Sequence, residues 1–403
     1  MGASSRVRCS ICNSHCVWRL LLSNIRANAG STDPEGRLRG WKNVTAQAAA
    51  TAAAQAAVDV VALGESMVTF LPARPGRLAD VPSFDRGIGG AESNVLCALA
   101  AAGHTTRWVS RVGADGFGDH LVESIARCGV DTSAVGRDPH RPTGIYFRTA
   151  DDRSTDAHEV VYYRAGSAAS AMAPGSVDED ALASGRVLHL SGITPALSAG
   201  CLDLVRHLCT RRVDRGPLVS FDVNYRPRLW KDAGGGSAHA PGVLLGLARG
   251  ADLVFVGEDE AAAAWGVTGG PAALRAVLPE PDTLVVKQGG RGATVLRHGE
   301  DPVFQPALRV DVVAPVGAGD AFAAGFLSAT LRDLPADRRL RHGHLMAAAA
   351  LTVPGDLAAP PARPHADRLA ALDDAAWETL RLGPGWTANA PEEPGADEEV
   401  RTP

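Results

Sequence analysis

An α/β fold built on a mostly parallel sheet is the class this chain predicts, and three observations predict it. Short apolar, β-branched runs recur and stop at glycine. Ala/Leu-rich stretches of helical character lie between them. Two segments, near residues 66–90 and 142–166, alternate like strands with no crossover helix beside them. Strands separated by helices make a parallel sheet covered on both faces. The expected architecture is a three-layer sandwich, with the two irregular segments forming a small β lid over one end of the sheet.

The elements follow in order. "VDVVALG" predicts a buried strand from Val58, ended by Gly64. "SNVLCALAAAG" predicts a helix closed by Gly103, and "TTRWVSRVG" a second strand. "TGIYFRTA" and "EVVYYRAG" are the lid text. Further buried strands are read in "RVLHLSG", "PLVSFDVN", "ADLVFVG" and "DTLVVKQGG", and a helix in "ALSAGCLDLVRHLCTRR". In "DVVAPVGAGDAFAAGFLSATL", from Asp311 to Leu331, an apolar run ends in a glycine turn and a helix follows. One domain is thus placed at 58–383. Residues 1–57, which end in the low-complexity "VTAQAAATAAAQAA", are read as a non-core extension, and 384–403 as a disordered acidic tail rich in proline.

Composition narrows the function classes. The chain has 403 residues, a formal net charge of -5 and a hydrophobic fraction of 45%. Mild acidity without a dense basic patch argues against a nucleic-acid partner. No apolar run reaches the roughly 18 residues of a membrane span. Seven scattered cysteines, an odd number, read as reduced thiols in a cytoplasm. Cys9, Cys12 and Cys16 have a metal-like spacing, but no second cluster closes a four-ligand site, so no metal is expected there. In "GWKNVTAQ", Trp and Lys codons of a GC-rich genome spell a ribosome-binding-like sequence just before Val44. Translation is therefore expected to begin at Val44.

The chemistry-bearing stretch is the glycine turn. Gly317, Ala318 and Gly319 at a strand-to-helix turn expose backbone N–H groups at a helix N-terminus, which is an anion site. Asp320 follows at once. A carboxylate repels an anion, yet it suits a base that takes a proton from a hydroxyl attacking a phosphoryl group. The same Asp could equally be a first-turn residue favoured by the helix dipole. The turn is not a Walker loop, because no G-x-x-x-x-G-K-[ST] occurs.

Context separates these readings. "GGAESNVLCALAAAGHTTRWVSRVGADGFGD", Gly89 to Asp119, and "DVVAPVGAGDAFAAGF" together resemble the two signatures of the ribokinase-like, PfkB-type carbohydrate kinases. "TGIYF", "VVYYRAGSAAS", "LHLSGITPALS" and "SFDVNYRPRLW" resemble the 2-keto-3-deoxygluconate kinase branch. The resemblance implies an ATP-dependent kinase acting on the primary hydroxyl of a small sugar acid, and a homo-oligomer built through the lid. It implies that Gly90 and Asn94 lie at the sugar, that Lys287, Gly289 and Gly292 lie near ATP, and that Glu260 organises Mg²⁺ through water. Tyr146, Tyr162, Arg164 and Arg226 are sugar-facing candidates. Two arginines suit a carboxylate by charge and by fork geometry.

Two positions depart from the family pattern. The asparagine of its N-x-x-E element is Gly257 here, and the aspartate three residues before Gly317 is Ala314. The second departure puts a monovalent cation in doubt. Asp311, three residues earlier, is not expected to replace the missing carboxylate. The alternatives left open are a fructokinase or other neutral-sugar kinase, and a non-catalytic sugar-binding regulator. "VGADGFGD" imitates a dinucleotide loop with the wrong spacing, and His342 and His344 should diverge around a helix rather than share a metal.

Overall fold

Residue 58 opens a run of Val and Ala with no charge between Val60 and Gly64, and such text forms a strand buried on both faces. The computed structural model describes residues 58–74, 76–149, 160–210, 216–232 and 240–388. The expectations for residues 1–57, with Cys9, Cys12, Cys16 and the Val44 start, lie outside the described residues, as does the tail from residue 389.

The strands are β1 (Val58–Leu63), β2 (Met67–Pro72), β3 (Phe84–Gly89), β4 (Thr106–Gly113), β5 (Val135–Asp138), β6 (Ile145–Arg148), β7 (Val160–Tyr163), β8 (Gly185–Ser191), β9 (Leu218–Asp222), β10 (Leu253–Gly257), β11 (Thr283–Lys287), β12 (Gly292–Arg297), β13 (Val303–Pro306), β14 (Arg309–Val310) and β15 (Arg381–Leu382). The longer helices are α1 (Ala91–Ala101), α2 (Gly116–Arg127), α3 (Ala199–Thr210), α4 (Ala240–Arg249), α5 (Glu258–Trp265), α6 (Gly270–Val277), α7 (Ala318–Leu331), α8 (Ala336–Leu351) and α9 (Arg363–Ala370).

The main sheet has nine strands in the order β13-β12-β11-β10-β9-β8-β1-β4-β5. Pairs from β5 to β11 are parallel, and β11–β12 and β12–β13 are antiparallel. Sequence reading stopped at "DTLVVKQGG" and missed this last hairpin. Gly289 (φ +58°) and Gly292 (φ +143°) supply the conformations that turn β11 into β12, and Gly299 (φ +74°) does so between β12 and β13. Successive side chains feed opposite layers. Val61, Leu63, Phe221, Val254 and Val286 pack with α3 and α4, whereas Val60, Ala62, Phe255 and Val285 pack with α1 and α7. The strand order reverses direction at β1 and β8, and the loops beyond the carboxyl ends of the parallel strands are where such sheets bind ligands.

The lid is a separate four-stranded sheet, β3-β2-β6-β7, as the two irregular segments predicted. Asp115 fastens it to the body. The carboxylate caps α2 by accepting from the amides of Phe117 and Gly118, and accepts from the Thr143 amide at the foot of β6. The "VGADGFGD" loop is therefore a capped helix start. At the other end of the body, Trp386 packs against the cluster of Leu345, Ala366 and Trp377, so the folded chain runs past residue 384, where the tail had been placed.

Candidate active site

The first turn of α7 is the centre of the site. Gly317 precedes the helix at φ +76°, a left-handed conformation that favours glycine, and a Cβ there would lie 2.5 Å from the Asp356 carbonyl oxygen. The first intrahelical bond runs from the Ala321 amide to the Gly317 carbonyl, which leaves the amides of Ala318, Gly319 and Asp320 without a helical acceptor. Those amides and the helix dipole favour an anion.

Asp320 stands at the mouth of this turn. Its Oδ2 accepts from Asn94 Nδ2 at 2.9 Å, which joins α1 to α7. Burial pushes its carboxyl up to about 7, and the Asp222 charge adds to that, while Asn94, Arg226 and Lys287 oppose it. A carboxyl poised there can hold or release a proton near neutral pH. Asn94 Oδ1 is buried with no protein hydrogen-bond partner.

Lys287 enters from the end of β11. Its Nζ donates to both carboxylate oxygens of Asp222, at 3.1 and 2.9 Å, and lies 3.8 Å from where a Cβ on Gly319 would sit. Burial works against its charge, but Asp222 and Glu260 more than reverse this, so the ammonium is held above its ordinary range. Gly289 has open space around its missing Cβ, which suits close approach of a nucleotide. Gly292 does not: a Cβ there would meet the Gln305 carbonyl at 2.2 Å, so the β13 backbone demands this glycine.

Glu260 lies in the first turn of α5, where Oε2 accepts from the Gly257 amide at 2.7 Å. Its Oε1 is 3.8 Å from an Arg226 nitrogen. One carboxylate oxygen is thus taken by the helix cap and the other faces the loop that carries Arg226. That oxygen fits a water of a hydrated Mg²⁺.

The sugar-side candidates divide. Tyr146 is buried on β6, opposite Tyr162 on β7, with ring centroids 5.4 Å apart. Its hydroxyl donates to Asp356 Oδ2 at 3.1 Å, and Arg148 pairs with the same carboxylate at 2.9 Å. Arg164 is already matched: its Nε donates to the buried Glu65 at 2.8 Å, a second nitrogen also contacts Glu65, and the guanidinium lies 5.8 Å from the Tyr162 ring centre. Of the two arginines expected to share a substrate carboxylate, only Arg226 stands exposed, at 56%. Gly90 owes its lack of a side chain to the protein itself, since a Cβ would lie 2.6 Å from the Glu65 carbonyl.

Elsewhere, Asp311 pairs with Arg381 at 2.7 Å, and Ala314 is buried, so no carboxylate stands at Ala314. His342 pairs with Asp367 and His344 with the Gln305 carbonyl, so the two rings diverge. No group of three or more metal-ligating side chains occurs among the described residues. Sequence reasoning missed Asp222, Glu65 and Asp356. The first two carry a readable signal, a carboxylate at the carboxyl end of an apolar strand. Asp356 carries none, because its partner Arg148 is 208 residues away.

A doubly covered parallel sheet, a small β lid beside its carboxyl edge and a carboxylate at the mouth of a helix with free amides describe an α/β enzyme with an anion site. The chain belongs to the pfkB family of carbohydrate kinases, whose family model matches residues 57–363. It is 34% identical to the 2-dehydro-3-deoxygluconokinase of Bacillus subtilis over 76% of this chain and 93% of that one. The enzyme of the same name from Thermoproteus tenax is also 34% identical, over 78% and 95%. The crystal structure of 2-dehydro-3-deoxygluconokinase from Thermotoga maritima superposes with a TM-score of 0.68 at 26% identity, covering 78% of this chain and 98% of that chain. The protein is a phosphotransferase with an alcohol group as acceptor.

Proposed function

We propose that the protein transfers the γ-phosphoryl group of ATP to the primary hydroxyl of 2-dehydro-3-deoxygluconate, also called 2-keto-3-deoxygluconate, or of a closely similar sugar acid. The observation that carries the reaction is Asp320, hydrogen-bonded to Asn94 and set beside the free amides of the first turn of α7. The hydroxyl gives its proton to an Asp320 oxygen as its own oxygen bonds to phosphorus. The bond from phosphorus to the bridging oxygen breaks, and ADP leaves with that electron pair. The amides of Ala318, Gly319 and Asp320 hold the charge on the transferred oxygens. Mg²⁺, which arrives with ATP, supplies further charge neutralisation, and Glu260 would hold its water shell.

Arg226, exposed on the loop after β9, receives the substrate carboxylate, while Arg164 stays bound to Glu65. The acid reading therefore rests on Arg226 and on the names of the relatives. No monovalent cation is assigned, because Ala314 brings no carboxylate. The lid's outer face carries Phe70, Phe84, Phe147 and Tyr163 in ring contacts, continued by Phe117 of α2 against Phe70, and it fits a second copy of the lid in a homodimer. The described cysteines are free thiols, which suits the cytoplasm.

The test is a panel of sugars and sugar acids with purified protein and MgATP, read as ADP release. The expected outcome is the highest kcat/KM for 2-keto-3-deoxygluconate. A higher value for fructose than for every sugar acid would make the protein a neutral-sugar kinase.

A further inference from the structure

The Asp222–Lys287 pair occupies the middle of the site, yet the mechanism above gives Asp222 nothing to do. Asp222 is 2% exposed at the end of β9, and Lys287 ends β11, two strands across. Between them lies β10, in which Phe255 is paired with Asp222 and Gly257 with Lys287. By this register both side chains rise on the face covered by α7, where Phe255 meets Phe326. Because β10 ends in Gly257, no side chain stands beside Lys287 on that strand, and the lysine reaches back to both oxygens of Asp222. Its Nζ then lies over the first turn of α7. A lysine ammonium is a point charge on a four-carbon stem that costs entropy to hold still, and two buried acceptor oxygens fix it.

The geometry points to Asp222 as a positioning residue for phosphoryl transfer: it fixes the Lys287 ammonium beside the anion turn, where that charge meets the transferred phosphoryl group, and it offsets the lysine's charge at Asp320. The inference rests on the kinase reading with Asp320 as base. The groups that face Asp320 are Asn94 from α1, Asp222 from β9, Arg226 from the loop after β9, and Lys287 from β11. Those that face Lys287 are Asp222, Glu260 and Asp320. Neutralising Asp222 leaves Lys287 both unanchored and uncompensated. Its contact with phosphoryl weakens, and Asp320 gives up its proton at lower pH.

The test is the pH–rate profile of Asp222→Asn, with Lys287→Met, the double variant and Asp320→Ala alongside. For Asp222→Asn, kcat should fall roughly 10- to 100-fold, the scale of one lost charge-stabilising donor. The KM for the sugar should hold within about 2-fold, and the acid limb should move down by roughly one pH unit. A purely structural role would not move that limb. Should Asp222→Asn fail to fold, the double variant replaces it, since it buries no unpaired charge; its kcat should match Lys287→Met within about 2-fold if the pair acts as a unit. Wild-type kcat and acid limb in Asp222→Asn, or a double variant about 10-fold slower than Lys287→Met, would overturn the inference. An inactive Asp320→Ala beside an unchanged Asp222→Asn overturns this inference alone. An active Asp320→Ala overturns the base reading and this inference with it.

Discussion

At the scale of single residues, the site is a set of charges that fix one another. Asp320 is pushed up to about 7, first by burial and then by Asp222. A base acts only when unprotonated, so kcat/KM should fall as pH drops through about 7, tenfold per unit below it, and this is read directly from a pH–rate profile. Of the two arginines proposed for the sugar acid, Arg226 is the more exposed, since Arg164 is buried against Glu65. Arg226→Ala should therefore raise the KM for a sugar acid by roughly 10- to 100-fold, the effect of one lost charged hydrogen bond, and should leave a neutral sugar unaffected. Initial rates against substrate concentration for both sugars check this. Equal losses for both would assign Arg226 to Glu260 and the nucleotide side instead. The position of Asp320 behind the G-A-G turn at the start of α7, and of Lys287 at the end of a strand, was legible in the sequence because each is set by a few neighbouring residues. Asp356 was not, because it acts through a partner 208 residues away; Glu65, at the end of an apolar strand, could have been read, but its partner lies 99 residues away.

At the scale of elements, strand and helix text was legible wherever one period held for a whole element. β1, β4, β8, β9, β10 and β11 all stand where apolar runs ended at or near a glycine or polar turn. The β12–β13 hairpin was hidden because its turn, between Arg297 and Val303, depends on a left-handed backbone at Gly299 (φ +74°) rather than on side-chain pattern. The packing of α7 on α8 was hidden too, since it rests on two missing side chains. A Cβ on Gly325 would lie 2.3 Å from the His342 carbonyl, and one on Gly343 would lie 2.8 Å from the Phe322 ring. These contacts hold α7 close to α8, and so hold the anion turn at its mouth. Gly325→Ala should destabilise the fold by roughly 1–3 kcal/mol through overpacking against backbone that cannot yield cheaply. Chemical denaturation gives the value, and an unchanged midpoint would show that the two helices separate at little cost.

At the scale of the whole molecule, the lid and the body meet at the reacting turn. Tyr146 and Arg148 of β6 hold the Asp356 carboxylate, while the Asp356 carbonyl lies against Gly317. Asp115 ties the foot of β6 to α2. A lid held at both ends can exclude water while the phosphoryl group moves. The sheet supplies Asp222 and Lys287, α1 supplies Asn94, and α7 supplies the amides and Asp320. These parts converge on one carboxylate, so the most direct measurement is the kcat of Asp320→Ala with MgATP and a saturating sugar acid, set against wild type. The account predicts a loss of roughly 10²- to 10⁴-fold, the scale of a removed general base, with substrate binding kept. A variant that turns over as fast as wild type would contradict it.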